Sequence, residues 1–379
     1  MLYYNFDVSD QHGYYMVGPT KFYSKFEAVK AMQRTGIHLT YHFHDEVFGK
    51  YDWTKEPTES LDELYRRRCQ QLREKYDYLV LCYSGGSDSQ NILDTFVKHG
   101  IYPDEIMTYH NYSVNPREIM TNKEVIEVAY PRAKAVVDAH PHIKHRLIDF
   151  GPKTHDFFIN SPDMDRIVDT NWSMFSPGST VLCYIHQLDQ DYLDMIAQGK
   201  RVGFIVGFDK PRVWEVDGRW CHRFLDIPSG LAVVGSDIPT EMFYWNPDAV
   251  ELLIKQCHVI KNYMKHATPD TPFITTTKTG RSCKKYGDQT LWLNDHGTHT
   301  LLYPTWDITT YSAGKDPSKV LSRRDSWFVR DRNDPARINW HNRVQGWWNS
   351  IPDYWKNDPA KGVRAGPKNS WTVPYFLGD

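Results

Sequence analysis

The 379-residue sequence contains little cysteine, and its six cysteines form no C-x-x-C pair. Without such a pair we expect neither a zinc ribbon nor a dithiol redox centre, and scattered thiols are typical of a reduced, cytosolic protein. No apolar run approaches the length of about 18 residues that spans a membrane, and the first residues do not have the pattern of a signal peptide. We therefore predict a soluble, cytoplasmic protein with no membrane partner.

An excess of one charge is also lacking, because 45 basic residues nearly balance 47 acidic ones. At the level of the whole chain, this balance argues neither for nor against a polyanionic partner. The length exceeds what one small core needs. We predict a small α+β unit at residues 1–58, a central domain at 59–266 and an aromatic, basic domain at 267–379.

The run that organises the chain is YLVLCYSGGSDSQN, which covers residues 78–91. Its first six residues suit a short buried strand, and apolar residues recur at helical spacing after the two glycines. A strand, a glycine turn and a helix N-terminus direct backbone N–H groups at one point, which is typical of an anion site. Asp88 would repel a phosphate unless it holds Mg²⁺. The alternative is a tight turn with a serine cap.

The hexapeptide at residues 84–89 resembles the signature of the PP-loop ATP pyrophosphatases, the adenine nucleotide alpha hydrolase-like superfamily. Members generally cleave ATP between the α and β phosphates, adenylate a substrate oxygen and release pyrophosphate. The resemblance implies that the cradle of the ATP phosphates comprises Ser84, Gly85, Gly86, Ser87 and Ser89. The whole chain is also loosely similar to phage PP-loop proteins labelled phosphoadenosine phosphosulfate reductase-like, which implies the host cytoplasm.

A second candidate stretch follows a predicted strand at residues 201–206. Gly207 permits close approach, Asp209 can share Mg²⁺ with Asp88, and the charges of Lys210 and Arg212 can balance pyrophosphate. This stretch resembles the G-x-D-like element that family members place after a later strand. We expect Asp88, Asp209 and Lys210 to act in catalysis, and a charged turn is the alternative.

Alternating strands and helices predict an α/β fold with a doubly wound parallel sheet. In such sheets the carboxyl ends of the strands border the ligand crevice, where we expect Tyr109 and His110. The resemblance implies that adenine binds near them. Residues 151–200 are predicted to form a packed loop or a lid over ATP.

The predicted C-terminal domain combines tryptophan with arginine. Such a surface can bind single-stranded nucleic acid, either tRNA or DNA, whereas an irregular domain with a tryptophan core is the alternative. The sequence also leaves a homodimer open.

We predict an adenylating enzyme that uses ATP and Mg²⁺. The acceptor oxygen would belong to a nucleotide, a base or an amino acid, and an amine or thiol donor would then displace AMP. Position 2 lacks the cysteine of glutamine-hydrolysing relatives, so the donor must arrive independently.

Two alternatives remain. One is a sulfonucleotide reductase-like enzyme, although the sequence around Cys283 lacks that branch's Glu-Cys-Gly-x-x-His motif and Ser87 stands where many of its members have lysine. The other is a non-catalytic protein that binds a nucleotide or nucleic acid.

Overall fold

The computed structural model describes residues 10–110, 125–149, 189–207, 210–226, 240–277, 280–307 and 370–379, with a few single positions between them. The described strands are β1 (Tyr14–Val17), β2 (Thr20–Phe22), β3 (Leu39–His42), β4 (Tyr78–Cys82), β5 (Glu105–His110), β6 (Lys144–Asp149), β7 (Val202–Val206), β8 (Val213–Val216), β9 (Arg219–His222), β10 (Thr240–Met242), β11 (Ile274–Thr275), β12 (Gly280–Tyr286), β13 (Gln289–Asn294) and β14 (Tyr375–Phe376). The described α-helices are α1 (Lys25–Thr35), α2 (Asp45–Phe48), α3 (Leu61–Lys75), α4 (Ser87–Lys98), α5 (Tyr130–Ala139), α6 (Gln190–Ala197), α7 (Val250–Lys265) and α8 (Asp295–Leu302). A π-helical turn, Val125–Ala129, precedes α5.

A five-stranded sheet with the order β10-β7-β4-β5-β6 forms the centre of the molecule. Every neighbouring pair is parallel, and the middle strand β4 buries Leu79, Val80 and Leu81 completely. From β4 the chain winds outward through β5 to β6, and it then returns to β7 on the other side of β4. This reversal creates a crevice at the carboxyl ends of β4 and β7, where ligands bind in such sheets. The predicted doubly wound α/β fold is confirmed.

Helix α3 begins at the capping box that the sequence predicts. The Ser60 hydroxyl accepts from the Glu63 amide at 3.2 Å, and the Glu63 carboxylate accepts from the Ser60 amide at 2.8 Å. Helix α3 packs against α4 and α7, and it buries an apolar stripe that includes Leu64, Cys69 and Leu72. The stripe is the i, i+3, i+4 pattern of an amphipathic helix whose apolar face joins a core.

Two further sheets accompany the central one. The N-terminal sheet has the order β2-β1-β3, and a six-stranded sheet has the order β11-β13-β12-β8-β9-β14. Strands β8 and β9 of the six-stranded sheet precede residue 266, and its other four strands follow it. The division of the chain into domains at residues 58 and 266 stays a prediction. A buried ion pair at 2.6 Å between Lys25 of α1 and Asp226 connects the N-terminal sheet to the segment after β9.

None of the helices that the structure describes is long and apolar enough to cross a membrane. The predicted lid at residues 151–200 lies outside the described residues as far as residue 188. Most of the predicted aromatic, basic domain after residue 307 also lies outside them.

Candidate functional site

The turn between β4 and α4 has the geometry of an anion site. Gly86 is the N-cap of α4, and no side chain caps the helix there. Ser84, Ser87 and Asp88 are partly exposed around the turn, whereas Ser89 is buried. The first amides of a helix have no partner within the helix, and the helix dipole adds positive potential at this end. The turn can therefore receive a negatively charged group.

Hydrogen bonds between serines fix the shape of this turn. The Ser89 hydroxyl accepts from the Ser84 amide at 3.3 Å and donates to the Gly86 carbonyl at 3.1 Å. The Gly86 amide in turn donates to the Ser84 hydroxyl at 3.4 Å. Ser84 and Ser89 thus use part of their hydrogen-bonding capacity within the turn, which keeps its backbone in one conformation.

Gly85 has a structural reason to be glycine besides the approach of a ligand. Its φ angle is +70°, a region that other residues rarely adopt. A Cβ atom at this position would also lie 2.9 Å from the Cα of Ala129, in the π-helical turn. The same turn leads into α5, from which Arg132 donates to the Gly85 carbonyl at 3.3 Å.

The stretch after β7 meets the glycine turn, as the sequence predicts for two parts of one site. A Cβ atom at Gly207 would lie 3.1 Å from the Cβ of Asp88 and 3.1 Å from the Ser89 amide nitrogen. Lys210 then places its Nζ 2.6 and 2.9 Å from the two carboxylate oxygens of Asp88. Residues 122 positions apart in the sequence thereby form one ion pair at the edge of the crevice.

Asp88 is an ionised carboxylate in this arrangement. Burial by itself would raise its pKa, but the ammonium of Lys210 and hydrogen bonds from Lys210 and Tyr303 outweigh burial and hold the pKa below its ordinary value. The side chain of Asp88 is 26% exposed, against 5% for Lys210. Solvent and solutes can thus reach the carboxylate.

Helix α8 and the residue after it supply two site residues that the sequence analysis missed. The Tyr303 hydroxyl donates to Oδ1 of Asp88, and the His299 Nε2 lies 3.1 Å from the Ser87 hydroxyl. Burial and the neighbouring Lys210 ammonium lower the pKa of His299 to about 3, so its imidazole is neutral. Their i, i+4 spacing puts both residues on one helix face, a signal that does not distinguish a site from a packing surface.

Two hydroxyl groups hold these parts together. The Tyr244 hydroxyl donates to the Asp88 carbonyl at 2.9 Å, and its ring stacks on that of Tyr303 at 5.7 Å. The Tyr65 hydroxyl of α3 donates to the Leu302 carbonyl at the end of α8, at 2.8 Å. The position of α8 against the glycine turn is therefore fixed by contacts with Tyr65 of α3 and with Tyr244.

The remaining predicted site residues are Arg212, Tyr109, His110 and Asp209, and the structure describes only part of them. Arg212 lies two residues beyond Lys210, with its guanidinium 6.0 Å from the ring centroid of Trp371. Tyr109 and His110 end β5 at the carboxyl edge of the sheet, but their side chains are not described. Asp209 lies outside the described residues. Among the residues that are described, no three His, Cys, Asp or Glu side chains group into a metal site.

The chain resembles solved structures but no known sequence family. No family model matches the chain, and no curated protein sequence matches it. Among solved structures it is similar to NMN synthetase from Francisella tularensis, with 16% identity and a TM-score of 0.28 over 76% of this chain and 96% of the other. A likeness at this TM-score carries no inference about function.

Proposed function

We propose that the chain is an ATP-dependent adenylating enzyme that converts ATP to AMP and pyrophosphate. The activated acceptor is an oxygen on a nucleotide, a base or an amino acid, which an amine or thiol then attacks. The observation that carries this proposal is the meeting of the two predicted stretches. Gly207 lies against Asp88 and Ser89, and Lys210 pairs with Asp88, around a helix N-terminus that no side chain caps.

The residues of this edge have complementary roles. The amides and hydroxyls at Ser84, Gly85, Gly86, Ser87 and Ser89 cradle the terminal phosphates. Lys210 balances the charge that pyrophosphate carries as it leaves. Catalysis of this kind depends on positioning and charge neutralisation, so that no protein nucleophile is needed.

Mg²⁺ fits the chemistry of Asp88, since the ion prefers carboxylate oxygens and needs only one or two of them beside substrate phosphates. The partial exposure of this ionised carboxylate supports the assignment, and Asp209 would be the second ligand. When bound, the ion would neutralise the charge of the phosphate oxygens. Since Lys210 now contacts both oxygens of Asp88, the same carboxylate can hold either the ammonium or the metal as its principal partner.

The test is to supply labelled ATP with candidate acceptors and to separate the labelled products. We expect AMP and pyrophosphate from the unmodified protein, and loss of at least about 100-fold in rate for Asp88→Asn. Asp138→Asn is the matched control, because Asp138 is an exposed helix carboxylate that pairs with Lys134. If the protein yields only ADP and phosphate, or if Asp88→Asn reacts as fast as Asp138→Asn, the proposal is wrong.

A further inference from the structure

The contact between His299 and Ser87 assigns a direction to the Ser87 hydroxyl. Nε2 of His299 lies 3.1 Å from the Ser87 oxygen, whereas Nδ1 is buried and has no hydrogen-bond partner among the described residues. The ring is held by packing, since it stacks on Tyr303 at 5.6 Å and contacts Trp306 at 4.6 Å between centroids. The imidazole thus offers one nitrogen to Ser87 and encloses the other.

The position of the imidazole proton follows from the cost of burying polar groups. A neutral imidazole carries its one proton on either Nδ1 or Nε2. A proton on Nδ1 would be a buried N–H donor with no acceptor, and orphaned buried N–H groups are rarer in proteins than under-satisfied acceptors. The proton therefore lies on Nε2, and Nε2–H donates to the Ser87 oxygen. A hydroxyl that accepts this bond directs its own proton elsewhere.

We propose that His299 is a positioning residue that holds the Ser87 hydroxyl with its proton turned toward an anion in the turn between β4 and α4. The inference rests on the proposed function, because it names a phosphate group as the acceptor of the Ser87 proton. A residue from α8 thereby completes the phosphate cradle of the central domain. His299 touches no reacting atom in this scheme, and it acts through Ser87.

The first experiment measures the affinity for inorganic pyrophosphate by calorimetry in four variants. We expect about a tenfold weaker Kd for His299→Leu, the effect of one lost hydrogen bond to an anion. His299→Gln should recover most of this loss, because its terminal amide can donate from nearly the position of Nε2. Ser87→Ala should weaken binding to a similar degree, and His299→Leu should add nothing in a Ser87→Ala background.

Equal affinity of His299→Leu and the unmodified protein, or losses that add in the double variant, would overturn the proposal. A second measurement needs no variant: nitrogen-15 NMR of the labelled histidines should show His299 as the Nε2–H tautomer. An Nδ1–H tautomer would refute the inference even if His299→Leu failed to fold. The proposed function can fail separately from this inference. In that case the protein forms no AMP from ATP, while pyrophosphate still binds with an affinity that depends on His299.

Discussion

Replacement of Lys210 by methionine tests whether the ion pair at the crevice forms in solution. Methionine keeps an unbranched, apolar side chain in the 5%-exposed site of Lys210, so the change removes the ammonium with little loss of packing. Removal of one partner from a buried pair costs about 3–5 kcal/mol of unfolding free energy, because the other charge is left uncompensated. Since Asp88 is 26% exposed and water can hydrate it, we expect a smaller loss of unfolding free energy, about 2–3 kcal/mol.

The matched control is Lys134→Met. Its ammonium lies 2.6 Å from Asp138, as close as that of Lys210 to Asp88, but the two side chains are 54% and 62% exposed. An exposed pair contributes about 0–1 kcal/mol, so this variant should unfold almost as the unmodified protein does. The comparison therefore separates the effect of burial from that of distance.

Urea unfolding followed by tryptophan fluorescence measures both variants at neutral pH in metal-free buffer. A double-mutant cycle with Asp88→Asn should give a coupling energy of at least about 1 kcal/mol between Lys210 and Asp88. If Lys210→Met is no less stable than Lys134→Met and the coupling is absent, the two stretches do not meet as described. The basis of the proposed site would then be lost.

Two further predictions concern the turn and the sheet that supports it. Gly85→Ala should lower the free energy of unfolding by more than about 1 kcal/mol and weaken pyrophosphate binding, because the new Cβ combines a positive φ angle with a contact at 2.9 Å. Gly100→Ala is the control, since Gly100 also has a positive φ angle but open space around it, so that only the backbone strain remains. Equal losses of stability in urea for the two variants would contradict this prediction. For Glu241, burial would raise the pKa, but Arg68, Lys75 and Tyr76 outweigh it and lower the pKa from 4.5 to about 2. The ionised group therefore stabilises the fold above pH 4.5 by about 3 kcal/mol, and this contribution is lost as the pH falls toward 2. Glu241→Gln should thus be less stable than the unmodified protein at pH 7, and the difference in their unfolding free energies in urea should shrink as the pH falls. A difference that stays constant down to pH 3 would refute the reasoning.

The glycine turn and the central sheet were predictable because their signals are local. A short apolar run, two glycines and a helical period lie within the 20 residues 78–97, and the capping box at Ser60 needs only four. The stretch after β7 was also predictable, since a strand end with Gly207 and Lys210 is readable in one place. That both stretches share one crevice follows from the topology of parallel sheets.

The contribution of α8 could not be predicted in the same way. His299 lies 212 residues from Ser87, and Tyr303 lies 215 residues from Asp88. No periodicity or motif encodes a contact over such a distance, because it depends on how the six-stranded sheet and α7 place α8. The parallel pairing of β8 with β12 has the same origin, since Trp214 and Cys283 become neighbours only through tertiary packing.

The site between β4 and α4 depends on residues of α8 and just after it. Without α8, the Asp88 carboxylate would keep Lys210 but lose the Tyr303 hydroxyl, and Ser87 would lose its only described side-chain partner. Tyr65 would also lose its hydrogen bond to Leu302, and Tyr244 would lose the stacked ring of Tyr303. The hydrogen bonds of Ser87 and Asp88, two residues that a short motif identifies, therefore depend on a segment more than 200 positions away.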